Sequence, residues 1–153
     1  MEENTPRIER CVAELSEAEI WQRPNASSNS VGNLMLHLCG NIRQYAIASL
    51  GNSKDERQRD SEFAAQGGRT KSDLLEKLHV TVEEALETIR QTSDQEMLRV
   101  RMVQGFQLSG IGIALHVCEH YSYHCGQIAF WVKLLKDKDL GFYANIDLNI
   151  TSE

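Results

Sequence analysis

The sequence predicts an all-α protein, a four-helix bundle with long crossover connections. Four segments repeat apolar residues at the helical period. Long polar stretches join the first segment to the second and the second to the third. Neither half of the chain is rich in strand patterns, and no internal repeat is present. We therefore expect one domain over residues 1–153, with a non-sequential crossover and not a simple up-and-down meander.

Composition and charge limit the partners of this chain. Its 153 residues carry a net charge of −6, with no block of Lys or Arg, which argues against a nucleic-acid partner. The first residues are acidic and polar, unlike a signal peptide, and no apolar run is long enough to cross a bilayer. We therefore expect a cytoplasmic protein without a membrane partner.

The first two helices are separated by a polar break. The first covers roughly residues 4–16, and its apolar side consists of Ile8, Cys11, Val12 and Leu15. Pro24 and its Asn and Ser neighbours favour turns. Ser30 is a suitable N-cap for a second helix over roughly residues 31–50, which Gly51 ends.

A charged connection follows, from about residue 52 to residue 69, with a short turn near residues 62–65. Thr70 or Ser72 starts the third helix, which runs to about residue 93.

Residues 97–108 partly alternate apolar and polar side chains, which favours an extended segment or a small hairpin. The last helix begins at Ser109 or Gly110 and ends near residue 136. The remaining tail is expected to be irregular, with Phe142 and Tyr143 as anchors.

Three of the five histidines recur at every fourth position of the last helix: His116, His120 and His124. Side chains four residues apart on a helix lie about 6 Å apart at Cβ, so a neighbouring pair can bind one metal ion. Residues eight apart are separated by about 12 Å along the axis, so the outer two cannot easily share that ion. One adjacent pair must therefore be chosen.

The pair His120/His124 is favoured by its surroundings. Gln127 lies on nearly the same face, where its amide could hold a ligand or a metal-bound water. Gly126 would permit close approach of another helix. His116 lies one turn earlier and is either a supporting residue of the site or simply a packed one.

His37 is the candidate third ligand. It lies in the apolar stretch Leu34–Leu38 of the second helix, where an unpaired imidazole would be costly. Asn41 and Gln44 follow at one-turn spacings and offer polar support. The alternative is a core histidine that is satisfied by a carbonyl or a neighbouring side chain.

Two other metal sites are weaker alternatives. His116–His120 matches the inverted zinc-protease signature H-x-x-E-H, in which Glu119 would be the base, but that family needs a further acidic ligand on a much larger fold. The four cysteines lack Cys-x-x-Cys spacing, and we expect them to be reduced. Cys118 and Cys125 are interpreted as small buried hydrophobes, with a zinc-thiolate site as the minor alternative.

The chain resembles the DinB/YfiT-like superfamily of metalloenzymes. The resemblance is carried by the segment Ser30–Asn41, which contains His37, and by His120-Tyr-Ser-Tyr-His124-Cys-Gly-Gln127. Trp21-Gln-Arg-Pro24 is also similar to this group. The resemblance implies an up-down-down-up four-helix bundle, frequently dimeric, and a divalent metal bound by His37, His120 and His124.

Relatives in that superfamily include bacillithiol- and mycothiol-dependent transferases and isomerases. We therefore expect a divalent transition metal, zinc or nickel, and a small-molecule substrate such as a low-molecular-weight thiol. Thiol S-transfer to a small electrophile is the leading function, and metal-dependent hydrolysis is the second. A non-catalytic, metal-stabilised scaffold is the third, and a helical interaction protein with packed histidines and no metal is the fourth. The sequence identifies no general base.

Overall fold

The computed structural model describes residues 1–151, which are mostly helical, as predicted. The helices in chain order are α1 (Thr5–Ala13), a 3-10 turn (Glu19–Trp21), α2 (Val31–Ile42), its π-helical continuation (Arg43–Leu50), α3 (Arg59–Ala64), α4 (Lys71–Gln91), α5 (Asp94–Leu98) and α6 (Gly110–Lys136). Strands β1 (Val100–Val103) and β2 (Phe106–Ser109) form one antiparallel pair.

Hydroxyl side chains begin the long helices where the sequence predicts. The Ser30 hydroxyl accepts a hydrogen bond from the backbone N–H of Asn33, whose side chain accepts one in return. Thr70, not Ser72, caps α4 through the same reciprocal arrangement with Asp73. Ser109 caps α6. These contacts satisfy N–H groups that have no partner within a helix.

The core lies between α1, α2 with its continuation, α4 and α6. Contacts join α2 to α4 and α6, and α1 to α6 and α4. The apolar residues predicted on the inner side of α1 are buried, among them Ile8 and Val12, and they pack in one core with Ile113 and Ile128 of α6. One polar contact lies among them: the hydroxyls of Thr5 and Tyr121 are 2.8 Å apart. The predicted apolar faces therefore form the core.

The predicted hairpin is present over residues 100–109. Gln104 and Gly105 form its turn, with φ angles of 50° and 85°. Such angles are accessible to glycine and suit two-residue hairpin loops. Val103 pairs with Phe106. Their side chains therefore lie on one face of the ladder, where Val103 is buried and Phe106 is exposed.

Three local features differ from the sequence prediction. The second helix changes to a π-helix at Arg43, because its backbone bonds there span one residue more than in an α-helix. The short helix α3 lies in the connection predicted to contain only a turn, and α5 lies between the third predicted helix and the predicted hairpin, where no helix was expected. Each is shorter than two helical turns, so no apolar period could reveal it.

The cysteines and the tail give one correction and one agreement. All four cysteines are free, but Cys118 is exposed, so the prediction that it is buried was wrong; Cys125 is buried. The chain at Asn4 covers Cys125, whereas Cys118, a heptad earlier on the same side of α6, is left uncovered. In the tail, Phe142 packs against the core and Tyr143 is half exposed. The end of the predicted tail, residues 152 and 153, lies outside the described residues.

Across residues 1–151, none of the helices combines the length and the apolar character that crossing a membrane requires.

Gly40 gives a test of packing between α2 and α3. A Cβ at this position would lie only 1.9 Å from Oε1 of Glu62, a carboxylate that Arg57 holds in place. We expect Gly40→Ala to lower the free energy of unfolding by about 1–3 kcal/mol, although alanine normally stabilises a helix interior. Denaturant unfolding measures the change.

Gly112→Ala is the matched control, since a Cβ there meets no atom closer than 3.5 Å. It should leave stability unchanged or raise it by up to about 1 kcal/mol. Equal stability of Gly40→Ala and the wild type would contradict the tight packing.

Candidate metal centre

Three histidine rings from two helices converge at one point. Nε2 of His120 lies 3.1 Å from Nε2 of His37 and 3.2 Å from Nε2 of His124. One nitrogen from each of the three rings lies within 4.8 Å of the others. Because α2 carries His37 and α6 carries the other two, the packing of these helices brings the three residues together.

Hydrogen bonds behind the rings fix which nitrogen faces the centre. Nδ1 of His37 lies 3.0 Å from a carboxylate oxygen of Glu62, and Nδ1 of His124 lies 2.7 Å from Oε1 of Gln127. Both oxygens can only accept, so both Nδ1 atoms carry the proton; Nη2 of Arg57, which lies 3.1 Å from Nδ1 of His37, donates to Glu62 instead. The Nε2 lone pairs of His37 and His124 therefore point toward the centre, which suits a metal ligand.

The residues fit a divalent transition metal. Two nitrogens that bind zinc at 2.0–2.1 Å lie about 3.4 Å apart in a tetrahedral site, close to the 3.1 and 3.2 Å that separate Nε2 of His120 from Nε2 of His37 and of His124. Three neutral imidazoles would leave a position free for a further ligand, as in catalytic zinc sites. Nδ1 of His120 is buried without a partner in residues 1–151, so its ring lacks the support that the other two have.

Burial keeps the α6 pair neutral. Desolvation, together with the neighbouring histidines and Arg57, lowers the pKa of His120 to about 3. Desolvation also lowers the pKa of His124 to about 4, against a small opposing effect of the Gln127 hydrogen bond. Neutral imidazole is the form that binds metal, so both residues are ready to bind a cation at neutral pH.

Glu62 and Arg57, which sequence reasoning missed, support His37 from behind. The guanidinium of Arg57 donates to both oxygens of Glu62, at 2.8 and 2.9 Å, and also to Gln44 at 2.9 Å. The Arg57 side chain is 3% exposed. Burial alone would raise the pKa of Glu62, but the hydrogen bonds from Arg57 and His37 lower it overall. The carboxylate therefore stays ionised and holds the His37 ring in place.

Asn33 places Glu62 beside His37. Its side-chain amide donates to the carbonyls of Glu62 and Ala65, at 2.9 and 2.8 Å. The same residue takes part in the α2 cap, so the start of α2 and the end of α3 are joined. In the sequence, the one available signal was an acid next to Phe63-Ala-Ala within a polar connection, which is too common a pattern to identify a partner of histidine.

His116 lies beside the three-histidine cluster and not in it. Its ring stacks on Tyr45, with centroids 4.0 Å apart, and its Nε2 lies 3.1 Å from the side-chain nitrogen of Asn41. A cavity of about 360 Å³ opens here, between α2, α6 and the hairpin, and His37 and His120 line it as well. A larger cavity, about 770 Å³, shares Arg57 with the site but is lined by none of the histidines.

The other residues predicted near the histidines make contacts with different partners. Gln127 contacts His124, as described, whereas Asn41 contacts His116 and Gln44 contacts Arg57. Glu119 is exposed on the surface of α6. A Cβ at Gly126 would meet no atom within 4 Å, so within residues 1–151 no helix approaches closely there.

Comparison of the sequence with protein families gives a match over most of the chain. The family described as "Protein of unknown function (DUF1572)" matches residues 1–145. The chain belongs to this family. Among curated proteins, no sequence matches this one.

Solved structures show the same fold. A DinB-like protein from Bacillus subtilis, YjoA, aligns with a TM-score of 0.67 at 17% identity and covers 89% of this chain and 88% of its own. A DinB-like protein from Bacillus cereus aligns with a TM-score of 0.69 at 11% identity, over 90% of this chain and 88% of its own. The fold is therefore DinB-like, as the resemblance in sequence implied.

The buried histidines predict a pH dependence of stability in the metal-free protein. The ordinary pKa is 6.5, and the folded pKa values of His120 and His124 are about 3 and about 4. The unfolded chain therefore binds more protons between these limits, and the free energy of unfolding should decrease as pH falls from about 6.5 to about 4. Denaturant unfolding at a series of pH values measures this slope.

The double variant His120→Asn/His124→Asn should show a flatter slope, whereas His79→Asn, outside the cluster, should retain it. A slope unchanged in the double variant would assign the effect to other groups.

Proposed function

We propose that His37, His120 and His124 hold a divalent transition metal, zinc or nickel, in a cytoplasmic metal-dependent enzyme. The leading reaction is transfer of a low-molecular-weight thiol to a small electrophile. The observation that carries this proposal is the convergence of three Nε2 atoms, two of them fixed by hydrogen bonds at Nδ1, beside an open cavity. We also propose that the four long helices follow the up-down-down-up order.

When bound, such an ion lowers the pKa of a coordinated thiol and so supplies a thiolate at neutral pH. In the reaction, the thiol releases its proton to water, its sulfur forms a bond to carbon, and the electrophile loses its leaving group with the bonding electrons. The chain must bind the thiol as a substrate, because no cysteine lines the 360 Å³ cavity within the described residues. Glu62 and Gln127 orient His37 and His124 while the substrates meet.

Metal binding by the wild type and by single variants tests the ligand assignment. We expect one equivalent of zinc or nickel in the wild type, and an affinity at least about 100-fold lower in His37→Ala, His120→Ala and His124→Ala. His79→Ala and His116→Ala should bind like the wild type, since neither ring joins the cluster. Metal analysis and calorimetric titration give these values. Full metal content in all three cluster variants would refute the assignment.

The metal-loaded protein is then assayed with low-molecular-weight thiols and electrophiles, with His120→Ala as control. Consumption of the electrophile that requires the thiol, and that is absent in His120→Ala, supports the transferase. Thiol-independent turnover would indicate the hydrolase instead. Metal retention without turnover of any substrate would indicate a metal-stabilised scaffold.

We also propose a homodimer in which α6 supplies the interface. Its outer side exposes large apolar side chains, each about 60–70% exposed: Leu115, Tyr123, Phe130 and Leu134. Soluble monomers rarely expose a large contiguous apolar surface. Gly126 on the same side has open space above it, which allows a second helix to approach. Two copies related by a twofold axis would cover the same surface on each.

Charge on this side of α6 should disrupt the dimer. We expect Phe130→Glu/Leu134→Glu to be monomeric at concentrations where the wild type is dimeric, because two buried carboxylates would face each other. Light scattering after size-exclusion chromatography measures the mass. Val80→Glu on α4, where the side chain is 51% exposed, is the matched control and should remain dimeric. A monomeric wild type would exclude this interface.

A further inference from the structure

The cavity beside the histidines is positively charged in an acidic protein. The chain has a net charge of −6, yet the 360 Å³ cavity is lined by the guanidinium groups of Arg57 and Arg59 and by no carboxylate. A concave surface of one sign concentrates ligands of the opposite sign. Because the Glu62 carboxylate offsets the charge of Arg57, the unpaired positive charge at this cavity is that of Arg59, which favours an anion.

The two arginines differ in how much of their charge is available. The guanidinium N–H groups of Arg57 already donate hydrogen bonds to Glu62 and Gln44. Arg59, the first residue of α3, forms no ion pair within residues 1–151, and its guanidinium lies over the ring of Phe63 at 4.8 Å. Stacking on an aromatic ring leaves the N–H groups at the edge of the guanidinium free to bind a carboxylate.

A short series of contacts relates Arg59 to the metal centre. The Phe63 ring that lies under Arg59 also lies 4.7 Å from the ring of His37. Arg59 and His37 therefore contact the same ring, and Arg59, His37 and His120 line the same cavity. One small molecule can contact Arg59 and these two histidines.

Asn41 supplies a second, independent sign of a ligand. Its side chain is 3% exposed and lines the cavity, and its Oδ1 has no hydrogen-bond partner in residues 1–151. Its amide nitrogen is already engaged with His116. A buried acceptor without a partner costs about 1–3 kcal/mol, and a ligand O–H or N–H group that meets Oδ1 as the Asn41 side chain turns toward the cavity would remove this penalty.

The hairpin provides an apolar wall on the remaining side. Phe106 is 61% exposed but lines the cavity, next to the hydrogen bond of 2.9 Å between the Tyr45 hydroxyl and Gln104. That bond holds the hairpin turn against the π-helical segment. The ring of Phe106 can therefore cover an apolar part of a ligand.

We propose that the cavity binds a small carboxylate that bears a neighbouring hydroxyl or amino group, with its carboxylate on Arg59 and its donor on Asn41. This inference rests on the proposed function only in placing that ligand beside the metal centre. It adds a substrate class to the site: an anionic molecule with an apolar substituent facing Phe106.

Mandelate and mandelamide test the charge, because they differ only in the carboxylate. Calorimetric titration of the wild type, both metal-free and zinc-loaded, should show mandelate binding at least about tenfold more tightly than mandelamide. Arg59→Gln should remove this preference and leave mandelamide binding and zinc content unchanged. Arg90→Gln, an exposed arginine on α4, is the matched control and should keep the preference.

Phenylacetate, which lacks the hydroxyl, tests Asn41. The wild type should bind mandelate more tightly than phenylacetate, and Asn41→Leu should bind the two equally. Equal binding of mandelate and mandelamide to the wild type, binding of neither, or a preference that survives in Arg59→Gln would overturn the proposal. The metal-free titrations distinguish failure of this proposal from failure of the proposed function. The preference of Arg59 for mandelate over mandelamide needs no metal, so its loss counts against the carboxylate site. Absence of zinc binding counts against the proposed function alone.

Discussion

A buried carboxylate, Glu62, joins the long connection between α2 and α4 to the histidine of α2. Removing a carboxylate and a guanidinium from water is costly unless their hydrogen-bonding groups are satisfied. Here both oxygens of Glu62 accept from Arg57, one of them also contacts His37, and Asn33 binds the Glu62 backbone. The geometry of the three-histidine cluster therefore depends on a segment that contributes no histidine to it.

The sequence predicted the long helices and the hairpin because each leaves a periodic signal. The apolar period of α4 and α6 extends over many turns, and Ser30 and Ser109 stand where helices begin. It also suggested which histidines meet. The spacing on α6 limits the choice to one adjacent pair, and His37 lies on an apolar segment that must face the core. The structure brings these three residues together, whereas metal binding itself stays a prediction.

The features that the sequence did not reveal depend on contacts between distant positions. Glu62 and Arg57 lie in a segment rich in charged residues, where nothing distinguishes a buried pair from solvated ones. Asn41 was expected to support His37, but its side chain contacts His116. Cys118 was expected to be buried like Cys125, which lies a heptad later on the same side of α6, but only Cys125 is covered, by the chain at Asn4. Such errors concern which distant segment packs over a position, and periodicity does not define that.

The connection after α3 is anchored at its start and unpacked at the two glycines that follow. Asn33 fixes the carbonyls of Glu62 and Ala65, and beyond them Gly67 and Gly68 adopt positive φ angles with no atom near the position of a Cβ. The backbone upstream is thus anchored, while these two glycines are free of packing. Residues inserted between Gly67 and Gly68 would form an exposed loop and leave the Glu62 carboxylate in place. The protein can therefore accommodate a fused tag or a guest peptide within its chain.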